Sequence, residues 1–183
     1  MPAAKDMVVI GVTGSIAAYK IADLVSKLTA EKIPVQVILT ENGARFVGPQ
    51  TFLTLSRRPV ITSLWESADW KPEHIELATR TRLLVIAPAT ANILAKMANG
   101  LADDALSTFC LSHDGPVLVA PAMNPRMWKH PATQANVQTL LQRGVKFLGP
   151  ATGKVACGEQ GPGRMVESAE ILQAIKEQLN AKR

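Results

Sequence analysis

The sequence predicts an α/β fold of three layers, Rossmann-like or flavodoxin-like, in which a parallel sheet lies between helices on both faces. Apolar runs typical of buried strands alternate along the chain with amphipathic helical patterns. Parallel strands joined by right-handed helical crossovers require this alternation. The chain has 183 residues, of which 47% are hydrophobic and 19% charged, so we predict one folded domain over residues 1–183 and exclude disorder.

Five segments have the continuous apolar character of strands that are buried on both faces. They are residues 7–12, 35–40, 83–88, 116–122 and 145–149. After the first strand, apolar residues at helical spacing predict a helix for which Ser15 is a plausible N-cap. A helix over 91–111, broken near Gly100, and a closing helix over 167–183 are also predicted. Residues 56–74 show only weak periodicity.

The composition excludes several classes of function. The net charge is +5, but the basic residues are scattered and aromatic residues make up 4%, so a nucleic-acid partner is not expected. The longest apolar stretch is broken by polar residues and falls short of a membrane span. The chain has two cysteines, no zinc-type spacing of Cys and His, and no secretory pattern. We therefore predict a reduced, cytoplasmic protein that holds no metal.

Small polar residues follow four of the predicted strands, at the edge where open parallel sheets bind ligands. Gly14 and Ser15 open a helix whose free N–H groups can hold a phosphate, although an ordinary capped turn is an equal alternative. Thr40 can contact a ligand or cap a helix. Residues 88–92, Pro-Ala-Thr-Ala-Asn, let a flat ring approach the backbone or form a capping turn before the next helix. Asn124 can bind a carboxylate or act as a cap.

Two residues have side chains suited to proton transfer. His74 is the best titratable candidate, although a structural histidine at the start of an element is an alternative. Cys157 lies in the run ACGEQGPGRM, residues 156–165, which we predict to be a loop because it holds three glycines and a proline. Cys110 lies in an apolar helical segment and is predicted to be part of the core. These observations indicate a protein that binds a phosphorylated ligand, and they do not identify a reaction.

Several stretches together resemble the homo-oligomeric flavin-containing cysteine decarboxylases. They are GSIAAYK (14–20), HIEL (74–77), APATANILAKMANGLADD (87–104), PAMNPRMW (121–128) and ACGEQGPGRM (156–165). The resemblance implies bound FMN. In the branch that it fits best, it implies conversion of 4′-phospho-N-pantothenoylcysteine to 4′-phosphopantetheine in coenzyme A biosynthesis. Flavin would oxidise the substrate to a thioaldehyde, CO2 would leave, and the enethiolate would be reduced and protonated.

The resemblance also assigns roles to individual residues. Cys157 is similar to the family's proton donor on a flap, His74 to its active-site base, and Asn124 to the residue that holds the substrate carboxylate. Further substrate contacts are implied for Lys154, Ala156 and Met165. FMN contacts are implied for Gly14, Ser15, Ile16, Thr40, Asn42, Thr90, Ala91, Asn92, Ile93 and Ala122. The family has serine where this chain has Thr90, and threonine where it has Ile93, so one hydroxyl is lost and only the N–H of Ile93 is kept.

The family's assembly implies a homo-oligomer, a trimer or a dodecamer of four trimers, and in many bacteria a phosphopantothenoylcysteine synthetase is fused to the domain. Three alternatives share the fold. A peptidyl-cysteine decarboxylase is disfavoured by the complete sequence of residues 156–165, and a flavin prenyltransferase by the pairing of PAMN with the cysteine flap. A regulatory relative without catalysis would carry an acidic extension and an incomplete active site.

Overall fold

Strands and helices alternate along the chain as the sequence predicts. The computed structural model describes residues 6–64, 73–154, 156 and 158–181, and for 73–76 it describes the backbone alone. The strands are β1 (Met7–Val12), β2 (Val35–Leu39), β3 (Thr81–Ala89), β4 (Val117–Pro121), β5 (Lys146–Phe147), β6 (Ala151–Lys154) and β7 (Gln160–Arg164). The helices are α1 (Tyr19–Ala30), α2 (Glu41–Ala44), α3 (Pro49–Ser56), α4 (Glu73–Arg80), α5 (Ala91–Asn99), α6 (Ala105–Ser112), α7 (Pro125–Lys129), α8 (Pro131–Gln142) and α9 (Ser168–Asn180).

The first five strands form one parallel sheet in the order β2-β1-β3-β4-β5. Ile10 at its centre is paired with Val37 on one side and with Val85 on the other. The chain moves outward from β1 to β2 and then returns to β3 on the opposite side of β1. The connections therefore leave β1 and β3 in opposite directions, and the crevice between their carboxyl ends is the usual ligand site of such sheets.

Helices cover both faces of this sheet, which confirms the predicted three layers. Side chains alternate along β1, so Val8 packs with α1 and α9 on one face and Val9 packs with α5, α6 and α8 on the other. Gly11 is the point where α6 approaches most closely, because a Cβ there would lie 2.4 Å from Leu106 Cδ1. Two apolar cores, one on each face, thus hold the carboxyl ends of the strands in fixed positions.

The element boundaries differ from the predictions in ways that local chemistry explains. The helix after β1 begins at Ser15, as predicted, but its first turn, Ile16–Ala18, is a 3-10 turn. The break at Gly100 is confirmed, because this residue ends α5 in a left-handed conformation at φ +70°. Strand β5 is much shorter than residues 145–149, because it lies at the edge of the sheet and is only partly buried.

The prediction that residues 156–165 form a loop is wrong in its second half. Strand β7 pairs antiparallel with β6 and makes a separate two-stranded sheet, here called the hairpin. Glycine and Pro162 are tolerated in β7 because a two-stranded sheet leaves one edge of each strand without a ladder to complete. No helix in the described part of the chain is long and apolar enough to cross a membrane.

Candidate active site

Thr13 ties together the carboxyl ends of β1 and β3. Its hydroxyl donates to the carbonyl oxygen of Pro88 at 2.6 Å and accepts from the N–H of Thr90 at 3.2 Å. The side chain is 3% exposed, so these bonds lie inside the protein. The sequence analysis did not select Thr13, although a threonine that ends an apolar strand directly before Gly14 was a usable signal.

The turn after β1 is shaped by Ser15 and Gly14. The Ser15 hydroxyl accepts from the N–H of Ala17 at 3.3 Å, which confirms its capping role. A Cβ on Gly14 would lie 2.5 Å from Asn42 Cβ, so the absence of a side chain lets this turn pack against the end of β2. Ile16 is 56% exposed and presents an apolar surface beside the turn.

Thr40 closes the end of β2 with its own hydrogen bonds. Its hydroxyl donates to the carbonyl oxygen of Val12 at 3.2 Å and accepts from the N–H of Gly43 at 3.1 Å, and its N–H donates to the same Val12 oxygen. The capping alternative for Thr40 is therefore correct. A role for it in binding a ligand stays a prediction, and the geometry favours the neighbouring exposed Asn42 as the group that contacts one.

The first turn of α5 is capped in the same way. The Thr90 hydroxyl accepts from the N–H of Ile93 at 3.5 Å. Ile93 itself is 2% exposed and packs in the core. The N–H of Ile93 is thus directed at the Thr90 hydroxyl, and a contact between this N–H and a ligand stays a prediction. Ala91 and Asn92 remain accessible at the helix start.

Asn124 lies where β4 gives way to α7. Its side-chain oxygen accepts from the N–H groups of Arg126 at 2.8 Å and Met127 at 3.1 Å, so the capping reading is correct. With the oxygen turned toward the backbone, the NH2 group is the part of this amide that donates to an acceptor. An NH2 donor suits a carboxylate ligand. The cap therefore fixes the Asn124 side chain without excluding the predicted binding role.

The hairpin is fixed to the segment that carries Asn124. The N–H of Met123 donates to the carbonyl oxygen of Gly163 at 2.9 Å. A Cβ on Gly163 would lie 2.3 Å from the Met123 carbonyl oxygen, so only glycine allows this approach. Arg126 and Glu159 add an ion pair of 2.9 Å between α7 and the hairpin. The end of β4 and the hairpin therefore form one continuous wall.

A cavity of about 480 Å³ lies between this wall and the start of α1. Seven of its lining residues were predicted from the sequence: Ser15, Ile16, Ala122, Asn124, Lys154, Ala156 and Met165. Six were not: Ala17, Tyr19, Lys20, Met123, Gly163 and Arg164. The predicted residues Gly14, Thr40, Asn42, Thr90, Ala91, Asn92 and Ile93 do not line it and lie at or beside the ends of β1, β2 and β3. The predicted site is thus divided between an open cavity and an adjacent set of capped strand ends.

A family model described as Flavoprotein matches residues 2–180. The chain belongs to the flavoprotein family. The coenzyme A biosynthesis bifunctional protein CoaBC of Vibrio vulnificus strain YJ016 is 45% identical over 166 residues, which cover 90% of this chain and 41% of the relative. CoaBC of Mycobacterium tuberculosis strain H37Rv is 47% identical over 164 residues, 90% of this chain and 39% of the relative. The chain thus spans about two fifths of the length of these relatives.

Solved structures share the fold over nearly the whole chain. A variant of PPC decarboxylase complexed with pantothenoylaminoethenethiol superimposes with a TM-score of 0.85 at 30% identity, covering 97% of this chain and all of that one. The FMN-binding protein AtHal3 gives a TM-score of 0.83 at 29% identity, with coverage of 98% and 99%. The predicted three-layer fold is therefore also the fold of these two solved structures.

The two predicted proton-transfer residues are only partly within the described structure. His74 lies in the first turn of α4, and its side chain is outside the described residues. Cys157 is also outside them. Cys110 packs against the core on one face of the sheet, and burial raises the pKa of its thiol to about 12. The predicted packing of Cys110 with the core is confirmed, and its thiol is protonated at neutral pH.

The described residues contain no cluster of three or more His, Cys, Asp or Glu side chains that is arranged to hold a metal ion. The acidic pair Asp103 and Asp104 is instead occupied by Lys96, whose ammonium lies 2.6 Å from a carboxylate oxygen of each. Asp104 also caps α6 by accepting from the N–H of Ser107 at 2.8 Å. These side chains stabilise the connection between α5 and α6.

Proposed function

We propose that this chain is an FMN-dependent decarboxylase that converts 4′-phospho-N-pantothenoylcysteine to 4′-phosphopantetheine in coenzyme A biosynthesis. The observation that carries the proposal is the cavity in which Asn124 meets Lys154, Ala156 and Met165 of the hairpin region. The names of the relatives agree with it, since CoaBC acts in coenzyme A biosynthesis and a solved neighbour is a PPC decarboxylase. The flavoprotein family accounts for the cofactor.

The ends of β1, β2 and β3 fit a flat, phosphorylated cofactor. Gly14 packs so closely on Asn42 that a side chain would fill the space between the two strand ends. Exposed Ile16 and buried Ala122 offer apolar surface to a ring, and the start of α1 offers N–H groups to a phosphate. The residues that would hold FMN are those of the sequence prediction, and Thr13 keeps their two central strands in register.

When bound, FMN supplies the chemistry of taking a hydride equivalent from the carbon that bears the thiol and returning it after CO2 has left. The side chains of this protein bind, orient and protonate the substrate. Asn124, fixed by its cap, donates to the substrate carboxylate. His74 acts as the base in the oxidative half, and Cys157 donates the final proton. The hairpin lines one wall of the cavity and would shield the bound substrate from water on that side.

We extend the proposal to the assembly and its location. A homo-oligomer, a trimer or a dodecamer, would bury Ile16 and Tyr19, which are 56% and 61% exposed beside the cavity. Light scattering would then give the mass of three or twelve chains of 19.6 kDa. A phosphopantothenoylcysteine synthetase, fused or separate, would supply the substrate in the cytoplasm. Its involvement is in keeping with the bifunctional relatives.

The test is an assay of the FMN-loaded protein with 4′-phospho-N-pantothenoylcysteine, read by mass spectrometry. We expect 4′-phosphopantetheine, lighter than the substrate by one CO2. His74→Asn should abolish turnover while flavin stays bound, and Cys157→Ser should stall with an oxidised product. Cys110→Ala is the matched control and should still make the full product. Unchanged product formation by Cys157→Ser would contradict the proton-donor role.

The same assay separates the proposal from the two nearest alternatives. Turnover of a peptide that ends in cysteine, without turnover of the pantothenoyl substrate, would establish a peptidyl-cysteine decarboxylase instead. A folded, FMN-loaded protein that converts neither substrate would favour a regulatory role.

A further inference from the structure

The cavity wall carries an excess of positive charge. Of the lining residues in the part of the chain that the structure describes, three are basic, Lys20, Lys154 and Arg164, and none is acidic. They come from α1, β6 and β7. Three cations around one cavity raise the local concentration of anionic ligands. A ligand with a single carboxylate would not use this charge fully, because Asn124 already provides donors for a carboxylate.

Glu167 holds two of these cations in place. Its two carboxylate oxygens accept from Lys20 Nζ at 2.8 and 2.9 Å, and one of them also accepts from Arg164 Nη2 at 3.1 Å. The hydrogen bond from Lys20 keeps the pKa of the Glu167 carboxyl below its usual range, so it stays charged at neutral pH. Its backbone N–H donates to Glu170 at the start of α9, which fixes Glu167 itself.

The two cations keep an excess of positive charge after this pairing. Among the described residues, Lys20 and Arg164 share one carboxylate, so one of their two charges is uncompensated there, and Lys154 adds a second. A phosphate monoester carries nearly two negative charges at neutral pH. The Arg164 side chain lies over Gly153, with its Nη1 3.8 Å from the position that a Cβ on Gly153 would take, and the planar donors of its guanidinium suit phosphate oxygens.

We propose that Arg164 and Lys20, positioned by Glu167, bind the phosphoryl end of the substrate and determine the preference for a phosphorylated over an unphosphorylated pantothenoyl chain. The proposal rests on the proposed function for the identity of the substrate. Asn124 holds the carboxylate end and the basic pair holds the opposite end, so the two groups together orient the substrate along the cavity. Glu167 acts only through the two cations and is a positioning residue.

The test compares two pairs of ligands on the FMN-loaded protein. The first pair is 4′-phospho-N-pantothenoylcysteine and N-pantothenoylcysteine, compared by kcat/KM. The second is 4′-phosphopantetheine and pantetheine, compared by calorimetric Kd, which does not depend on turnover. Arg164→Met and Lys20→Met should each lower the preference for the phosphorylated member roughly ten- to hundredfold in both pairs. Values for the unphosphorylated members should change less than about threefold.

The chain provides a closely matched control. Lys176 of α9 pairs at 2.6 Å with Glu31, which caps the end of α1, much as Lys20 of α1 pairs with the cap of α9, but neither Lys176 nor Glu31 lines the cavity. Lys176→Met should leave both preferences unchanged, which separates loss of a helix contact from loss of a phosphate contact. Lys20→Arg should keep most of the preference. Glu167→Gln should raise KM for the phosphorylated substrate with little change in kcat.

Each outcome decides the question. The proposal would be overturned if both methionine variants keep the wild-type preference for phosphorylated ligands. It would also be overturned if the wild-type protein binds phosphorylated and unphosphorylated ligands equally. If the protein binds 4′-phosphopantetheine selectively but turns over neither substrate, the proposed function fails and the phosphate site stands. If it decarboxylates both substrates with equal kcat/KM, the phosphate site fails and the decarboxylase function stands.

Discussion

Gly163→Ala should loosen the hairpin, because Gly163 is where β7 touches the end of β4. A Cβ there would lie 2.3 Å from the Met123 carbonyl oxygen, and the φ of +144° is one that side-chain-bearing residues rarely adopt. The strained backbone costs about 1–3 kcal/mol. Moving the strand away also breaks the bond from the Met123 N–H, worth about 0.5–1.5 kcal/mol. We therefore expect the docked hairpin to lose about 1.5–4.5 kcal/mol.

Hydrogen exchange at the amide of Met123 measures this loss directly. A change of about 1.5 kcal/mol or more corresponds to exchange faster by roughly tenfold or more, since about 1.4 kcal/mol is a factor of ten. The KM for the proposed substrate should rise as well, because the hairpin lines the cavity. Gly153→Ala is the control in the same hairpin, since its Cβ would meet only the Arg164 side chain at 3.8 Å. Equal exchange rates at Met123 in the two variants would refute this reasoning.

Three further changes test other parts of the structure. Thr13→Val should destabilise the protein by about 1–3 kcal/mol in denaturant unfolding, because the buried carbonyl of Pro88 loses its donor; a change below about 0.5 kcal/mol would contradict the role given to Thr13. Burial alone would raise the pKa of the Asp104 carboxyl, but hydrogen bonds from Lys96 and the helix backbone outweigh burial and lower this pKa. The charged carboxylate therefore stabilises the folded protein above the ordinary Asp pKa of about 3.9, and this stabilisation is lost as the pH falls below that value. The difference in stability between the wild type and Asp104→Ala should accordingly shrink as the pH falls from about 5 to about 2, and a pH-independent difference would argue against it. The thiol of Cys110, with a pKa of about 12, should resist iodoacetamide at pH 8 in the folded protein, and rapid labelling there would show that it is not buried.

The sheet was predictable because the local sequence of each central strand is enough to identify it. Strands β1 to β4 each carry a run of apolar residues, since both faces of the sheet are covered, and Gly100 ends α5 by its own conformational preference. Strand β7 gave no such signal. Its pairing is decided by β6 and by the contact with Met123, so its residues are selected for close approach and show no alternation of apolar and polar side chains.

The candidate site was predictable where a short motif carries it and hidden where distant residues meet. Asn124 and Ser15 stand beside recognisable strand ends, and both cap helices as their residue types predict. Thr13 and Pro88 are 75 positions apart, and Lys20 and Glu167 are 147 apart. A local pattern can mark Thr13 as a polar residue at a strand end, but it does not identify the partner, because a hydroxyl or a lysine looks the same in sequence whatever the folded chain brings next to it.

The chain enters and leaves the hairpin at two points that touch each other. Gly149 and Val166 meet where the chain leaves the sheet and returns, since a Cβ on Gly149 would lie 2.8 Å from a Val166 methyl carbon. Met165 and Val166 are anchored in the core, so the connection between β6 and β7 can vary in length and chemistry without altering the course of β5 or α9. Exchange of the connection between β6 and β7 among relatives would let a shared flavin-binding fold accept a different substrate while its core stays unchanged.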